Sequence, residues 1–514
     1  LVQIAAGALL AWPTLGLHVA LDPELFLFLF LPPLLFSDGW RMPKRELWRL
    51  RGPILTLAVG LVLFTVVGAG YFIHWLIPTI PLPVAFALAA VLSPTDAVAV
   101  SAISQNRLPT PLMHMLQGEA LMNDASGLVT FKFALAAAVT GVFSLANASL
   151  TFVLVAVGGL ATGVALSWLV GRLRSWMVAR GWDDPATHVV FMLLLPFAAY
   201  VLAERLGASG ILSAVAAGMM QSWLDLLPRQ TSTRLLNRSV WSLLEFAFNG
   251  LIFLLLGLQL PDIIKAVASH ETSLWPTLFY RCLDVVAIFM VLLVLRFIWV
   301  QSIWRLSGLL RRWRGEGELT PVPTARSCWL LTVGGVRGAV TLAGVLSVPL
   351  LMGGDAFPER DLLIFIAAGV ILLSLVAACI ALPMLLRGIE KSPDDKRRNE
   401  VRDAWRKTAE AAIHALEVEE AKPAEAAQAA LAAELKARLM SEYRHQLEVF
   451  NDSAEAQALA FEMDLLERRL RLKALRAQRL ELYKLSRHHQ IGDDVLREVL
   501  GELDMSEANL GQVK

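Results

Sequence analysis

Residues 118–129 read GEALMNDASGLV and lie inside an apolar stretch, 112–141, that is long enough to cross a bilayer. A charged side chain at the centre of a spanning helix costs about 2.5–3.5 kcal/mol on insertion scales. Glu119 and Asp124 must therefore turn toward protein or water and away from lipid. On an α-helix, where positions i and i+4 stack, Glu119 sits over Asn123 and Ala120 over Asp124, so the four share one inward face. Asp124 falls about 12 residues into the stretch, near half depth by the helical rise. Gly118 and Gly127 permit close approach of a neighbouring backbone.

The same argument picks out few other residues. Residues 91–100, VLSPTDAVAV, carry Asp96 directly after Ser93, Pro94 and Thr95 in the middle of an apolar run. Proline removes a backbone donor and clashes with the preceding turn, so the helix is expected to break there. In a membrane the freed backbone groups need protein or a water-filled cavity, and a break beside a carboxylate suggests an ion site. Residues 333–342, VGGVRGAVTL, place Arg337 among three glycines, which predicts an interrupted or closely packed helix. For Arg337 an ion-site role and a packing role are both open. Arg296, in VLLVLRFIWV (291–300), is a lone Arg on an apolar helix and needs a counter-charge, for which Glu119 is the best inward-facing candidate. Lys132 is assigned no role, and Glu245 and Asp284 lie near segment ends, where polar groups reach an interface.

Outward from these stretches, the whole chain fits a membrane protein. Its 514 residues are 56% hydrophobic and 18% charged, with mean hydropathy +0.57. Residues 391–514 hold 45 of the 91 charged side chains. The first 390 residues contain twelve predicted spans: 2–18, 23–37, 53–76, 82–104, 112–141, 149–171, 186–204, 207–224, 240–260, 280–306, 325–351 and 361–386. Lys and Arg concentrate in every second connection, from Arg41–Arg51 through Arg107, Arg172–Arg180, Arg229–Arg238 and Arg305–Arg314 to the tail. The positive-inside rule then places the tail in the cytoplasm. Ala, Glu, Arg and Leu dominate residues 391–514, which predicts a soluble helical domain after the transmembrane domain 1–390.

Several classes fall away. A net charge of +1 offers no basic face for nucleic acid. No GxxxxGK[ST] or HExxH stretch supports ATP-driven or zinc-peptidase chemistry, and Cys282, Cys328 and Cys379 lie far apart with no CxxC spacing. The reading is a transporter and not an enzyme, driven by another gradient and without a cofactor.

TDAVAV, GEALMNDASGLV and GGVRGAV together resemble the signature stretches of bacterial sodium/proton antiporters of the NhaP type, in the monovalent cation:proton antiporter-1 family. The resemblance covers residues 1 to about 390. It implies an all-α polytopic fold of thirteen helices in two inverted repeats with broken crossing helices, and a homodimer in the bacterial inner membrane. With twelve spans counted here, one N-terminal helix is expected to be missing from the numbered chain. Carried across, the resemblance makes Asp124 the main Na+ and H+ carboxylate. It places Asp96 and Thr95 with Na+ on the broken helix, Asn123 as neutral neighbour, and Glu119 paired with Arg296. Where the family often has Ser after the Glu, this chain has Ala120, so one hydroxyl ligand is lost.

Burial favours the neutral form of a carboxylate and a bound cation favours the charged form, so proton and cation compete for one site. The expected activity is electroneutral exchange of one Na+, or Li+ or K+, for one H+, serving pH and sodium homeostasis. A cation channel would use similar carboxylates but conduct either ion alone. A membrane-anchored interaction protein acting through its tail would have no reason to keep five charges at their insertion cost.

Overall fold

The computed structural model describes residues 2–12, 23–105, 107–140, 145–182, 184–225, 231–268, 274–314, 325–349, 351–352, 355–387, 395–418, 426–449, 454–488, 490 and 493–511. The chain divides into two compact units, Leu1–Glu390 and Lys391–Lys514. In the first unit the elements run α1 (Val2–Leu10), α2 (Pro23–Arg41), α3 (Lys44–Arg49) and α4 (Arg51–Leu55). A π-helical turn, Thr56–Leu61, leads into α5 (Val62–Leu76), followed by α6 (Leu82–Leu92), α7 (Ala97–Ser104) and α8 (Thr110–Thr140). Next come α9 (Leu145–Ala179), α10 (Pro185–Arg205), α11 (Gly210–Leu224), α12 (Thr231–Ala268) and α13 (Leu274–Arg314). The unit closes with α14 (Ala325–Val333), α15 (Ala339–Leu346), a two-residue antiparallel ladder of β1 (Leu351–Met352) with β2 (Asp355–Ala356), and α16 (Arg360–Leu385).

Among the described residues, six helices are long and apolar enough to cross a membrane, and a seventh if α6 and α7, bent by 44° at their break, count as one span. The other predicted spans fall short of that measure for physical reasons. Helix α8 carries Glu119, Asp124 and Lys132, and α14 and α15 are two short halves. The first predicted span is described only as far as residue 12, and Arg229 also lies outside the described residues.

Several helices extend beyond the hydropathy boundaries. Helices α9, α12 and α13 overrun their apolar cores, so Arg172, Arg174, Arg234, Arg238 and Arg305 are helical and do not sit in loops. Arg is a good helix former, and its long stem lets the charge leave the bilayer while the backbone stays helical. Helix α2 likewise continues past residue 37 to Arg41, which puts Asp38 on the helix. The π-helical turn was not legible in the sequence; the Ala58 carbonyl on it accepts a 2.5 Å hydrogen bond from Ser126 of α8.

Two sets of helices pack within the first unit: α1, α2 and α9–α12 against one another, and α4–α8 against one another and α13–α16. Helix α6 is nearly all small or branched apolar residues, and Val84, Ala85, Ala87, Leu88, Ala89 and Ala90 are buried, which lets it pass through the middle of its set. The second unit consists of α17 (Asp395–Val418), α18 (Ala426–Val449), α19 (Ala454–Arg487) and α20 (Asp493–Gly511). Helices α19 and α20 are joined by ion pairs from Arg479 to Asp504 and Glu507.

Candidate functional site

Helix α6 ends at Leu92, the chain is non-helical through Pro94 and Thr95, and α7 starts after Asp96. Asp96 is the N-cap: its Oδ1 accepts from the backbone N–H groups of Val98 at 2.9 Å and Ala99 at 3.0 Å. A carboxylate there satisfies orphan donors and meets the positive end of the helix dipole. The second break, between Val333 and Ala339, crosses the first, and the Asp96 N–H donates to the Val336 carbonyl at 2.7 Å. Gly338 is required at the crossing, because a Cβ on it would overlap the Asp96 side chain. Gly127 of α8 packs against Pro94 in the same way, which brings the Asp124 helix onto the break.

Each broken helix leaves carbonyls without helical partners at its C-terminal end, where the dipole is negative. An arginine serves each end. Arg337 donates from Nε to the Leu92 carbonyl of α6 at 3.0 Å and from Nη1 to the Gly335 carbonyl, while its backbone N–H reaches Ser374 Oγ at 3.1 Å. Arg296 donates from Nε to the Leu331 carbonyl of α14 at 2.9 Å. Its guanidinium also grips Glu119 through both nitrogens, with Nη2 to Oε2 at 2.7 Å. The side chains of Arg296 and Glu119 are 2% and 1% exposed, so the pair is fully desolvated and only mutual charge and hydrogen bonding offset that cost.

Asn123 donates from Nδ2 to Thr95 Oγ1 at 2.9 Å, tying α8 to the first break, and Thr95 in turn points to Glu119 Oε1 at 3.5 Å. The Asn123 Oδ1 is buried with no hydrogen-bond partner among the described residues. Asp124 is 7% exposed, and no hydrogen bond to its carboxylate is found among the described residues.

A cavity of about 250 Å³ opens beside this crossing, lined by Asp38, Thr95, Asp96, Asp124, Glu245 and Thr341 among others. The predicted site residues thus separate into two groups. Thr95, Asp96 and Asp124 reach the cavity, whereas Glu119, Asn123, Arg296 and Arg337 stand behind it as buried support. Glu245, placed by the sequence at a segment end, instead faces the cavity, where it accepts from Ser37 Oγ at 2.5 Å and pairs with Arg41 at 2.5 Å. Sequence reasoning missed Asp38; its signal was an acid set directly after an apolar run and only three residues before Arg41. Lys132 is exposed and pairs with Glu204 of α10 at 3.3 Å, and Asp284 pairs with Arg281 at 3.5 Å.

Two broken helices crossing beside buried carboxylates are the arrangement of ion-coupled secondary transporters. Residues 1–388 match the family described as sodium/hydrogen exchanger, transmembrane. The chain belongs to that family. It is 45% identical to the uncharacterized Na(+)/H(+) exchanger YjcE of Escherichia coli (strain K12), across 99% of this chain and 93% of that protein. It is 41% identical to the sodium, potassium, lithium and rubidium/H(+) antiporter of Bacillus pumilus (strain SAFR-032), across 100% of this chain and 75% of that protein. The sodium proton antiporter MjNhaP1 from Methanocaldococcus jannaschii, solved at pH 8, shares the fold with a TM-score of 0.56 at 16% identity, over 76% of this chain and 91% of that one.

Proposed function

We propose that the protein exchanges Na+ for H+ across the membrane, with Asp124 as the carboxylate that holds one or the other in turn. The observation that carries this reading is the placement of Asp124: buried, and facing a cavity that Asp96 also faces. An empty, charged Asp124 is costly to carry through a low-dielectric barrier, and either a proton or a cation relieves the cost. Passage of the unloaded site is thereby penalised, and transport becomes obligatory exchange. One carboxylate cycling between one proton and one Na+ makes the exchange electrically silent.

Asp96 and Thr95 supply further oxygens from the break, and Asn123, which takes up no proton, holds Thr95 in place. Access alternates as the α1, α2, α9–α12 set moves against the other around the cavity. The name of the Bacillus pumilus relative supports a site that accepts Li+ and K+ as well as Na+. The family resemblance supports a homodimer in a bacterial cytoplasmic membrane, and the alternation of basic connections supports a second unit in the cytoplasm.

Reconstituted liposomes with an internal pH dye test this. An imposed Na+ gradient is expected to move protons with the wild type and not with Asp124→Asn, at equal melting temperature. An undiminished rate in the variant removes Asp124 from the role.

A further inference from the structure

Thr341 sits on α15 one turn after the second break, is 1% exposed, and lines the cavity with Asp96 and Asp124. Its Oγ1 is buried and has no hydrogen-bond partner among the described residues. Three other helical threonines in this protein spend that hydroxyl on the carbonyl four residues back: Thr130 on Ser126 at 2.7 Å, Thr162 on Gly158 at 2.8 Å and Thr332 on Cys328 at 2.8 Å. For Thr341 the residue four back is Arg337, which lies before α15 begins at Ala339, in the non-helical crossing segment. The helix break thus takes away the usual acceptor and leaves a hydroxyl oxygen, at a cost in stability, on the wall of a cavity that also carries carboxylates.

The donor set lacks what a hydroxyl would add. Among the described residues no group of three or more His, Cys, Asp or Glu is placed to hold a metal ion. An alkali cation sheds its water only where several oxygens replace it, and neutral oxygens replace water without the desolvation cost of another charge. We infer that Thr341 Oγ1 is a direct ligand of the transported alkali cation, supplied by the second broken helix opposite Asp96 and Asp124. Thr341 thereby sets affinity and selectivity among alkali ions, while protons, which need only the carboxylate, are indifferent to it. The inference rests on the exchange reading above.

The test compares Thr341→Val, which keeps shape and removes the oxygen, with Thr341→Ser, which keeps the oxygen, and uses Thr341→Ala if the valine variant folds poorly. Two readouts are taken with NaCl, LiCl and KCl at constant ionic strength: KM and kcat for cation-driven proton movement in liposomes, and the cation concentration giving half-maximal thermal protection of purified protein. Thr341→Val is expected to raise KM and the half-protection concentration for Na+ about tenfold, the effect of one lost polar contact, with kcat within about twofold and changed ratios among the three cations. Thr341→Ser is expected to stay near wild type. A valine variant with wild-type values in both readouts overturns the ligand assignment. Wild-type protein that moves no protons, but whose Na+ protection still shifts in Thr341→Val, overturns the exchange reading and leaves the ligand standing. Absence of both proton movement and Na+ protection overturns both.

Discussion

The Asp96 carboxylate lies against the α-carbon of Gly338, so one acid sits between the N-termini of α7 and α15. It caps the first helix through Oδ1 and packs on the start of the second. Structural and ionic duties can be separated, since Asn caps a helix about as well as Asp whereas Ala does not. Asp96→Asn should keep the wild-type melting temperature and lose most of its exchange. Asp96→Ala should lose exchange and also about 1 kcal/mol of stability. Equal melting temperatures for the two variants would mean that the cap contributes nothing. Gly338→Ala forces the two segments apart and should impair both properties.

Glu119→Gln leaves Arg296 charged and buried without its partner, a loss of about 3–5 kcal/mol. The expected outcome is poor yield and a low melting temperature, measured by size-exclusion chromatography and thermal denaturation in detergent. Adding Arg296→Gln should recover part of the loss. A Glu119→Gln protein that is as stable as wild type but inactive would place Glu119 in the transport step instead.

Asp38 and Asp96 face the same cavity as Asp124. Asp38→Asn should raise KM for Na+ about fivefold, the effect of one charge removed across a partly hydrated gap, without abolishing turnover. Steady-state rates against Na+ concentration check this, and an unchanged KM would make Asp38 a bystander.

Acidity should act through competition. Na+ binds the deprotonated carboxylate, so lowering the pH converts the site to its protonated form and raises the apparent KM for Na+. Well below the titration point of the site, KM should climb roughly tenfold per pH unit, and at alkaline pH it should level off. Initial rates at several pH values decide the matter. A KM that ignores pH while the maximal rate changes would indicate separate sites for the two ions.

The features that could be read in the sequence were those with a local signature. Pro94 beside Asp96 marks a break because proline acts on its own turn, and an isolated Arg296 asks for an acid because so few are embedded. The contact between Arg337 and the Leu92 carbonyl joins residues 245 positions apart, and no spacing announces it. Asp38 escaped because an acid at the end of an apolar run costs little near an interface; only the packing of α2 turns it onto the cavity. The Thr341 hydroxyl is ordinary in sequence and becomes unusual only once the residue four before it lies outside the helix. Helix ends were misjudged wherever Arg prolongs a helix beyond its greasy middle.

The buried charges that brace the crossing find their partners on one side of the cavity. Glu119, Arg296, Arg337 and Asp96 are fastened among α6–α8 and α13–α15, while Glu245 with Ser37 and Arg41 closes its account between α12 and α2. Between these two clusters runs a seam that can part without breaking either of them. A carrier must open somewhere thousands of times without unfolding, and the proposed cation site lies on the seam where opening costs least.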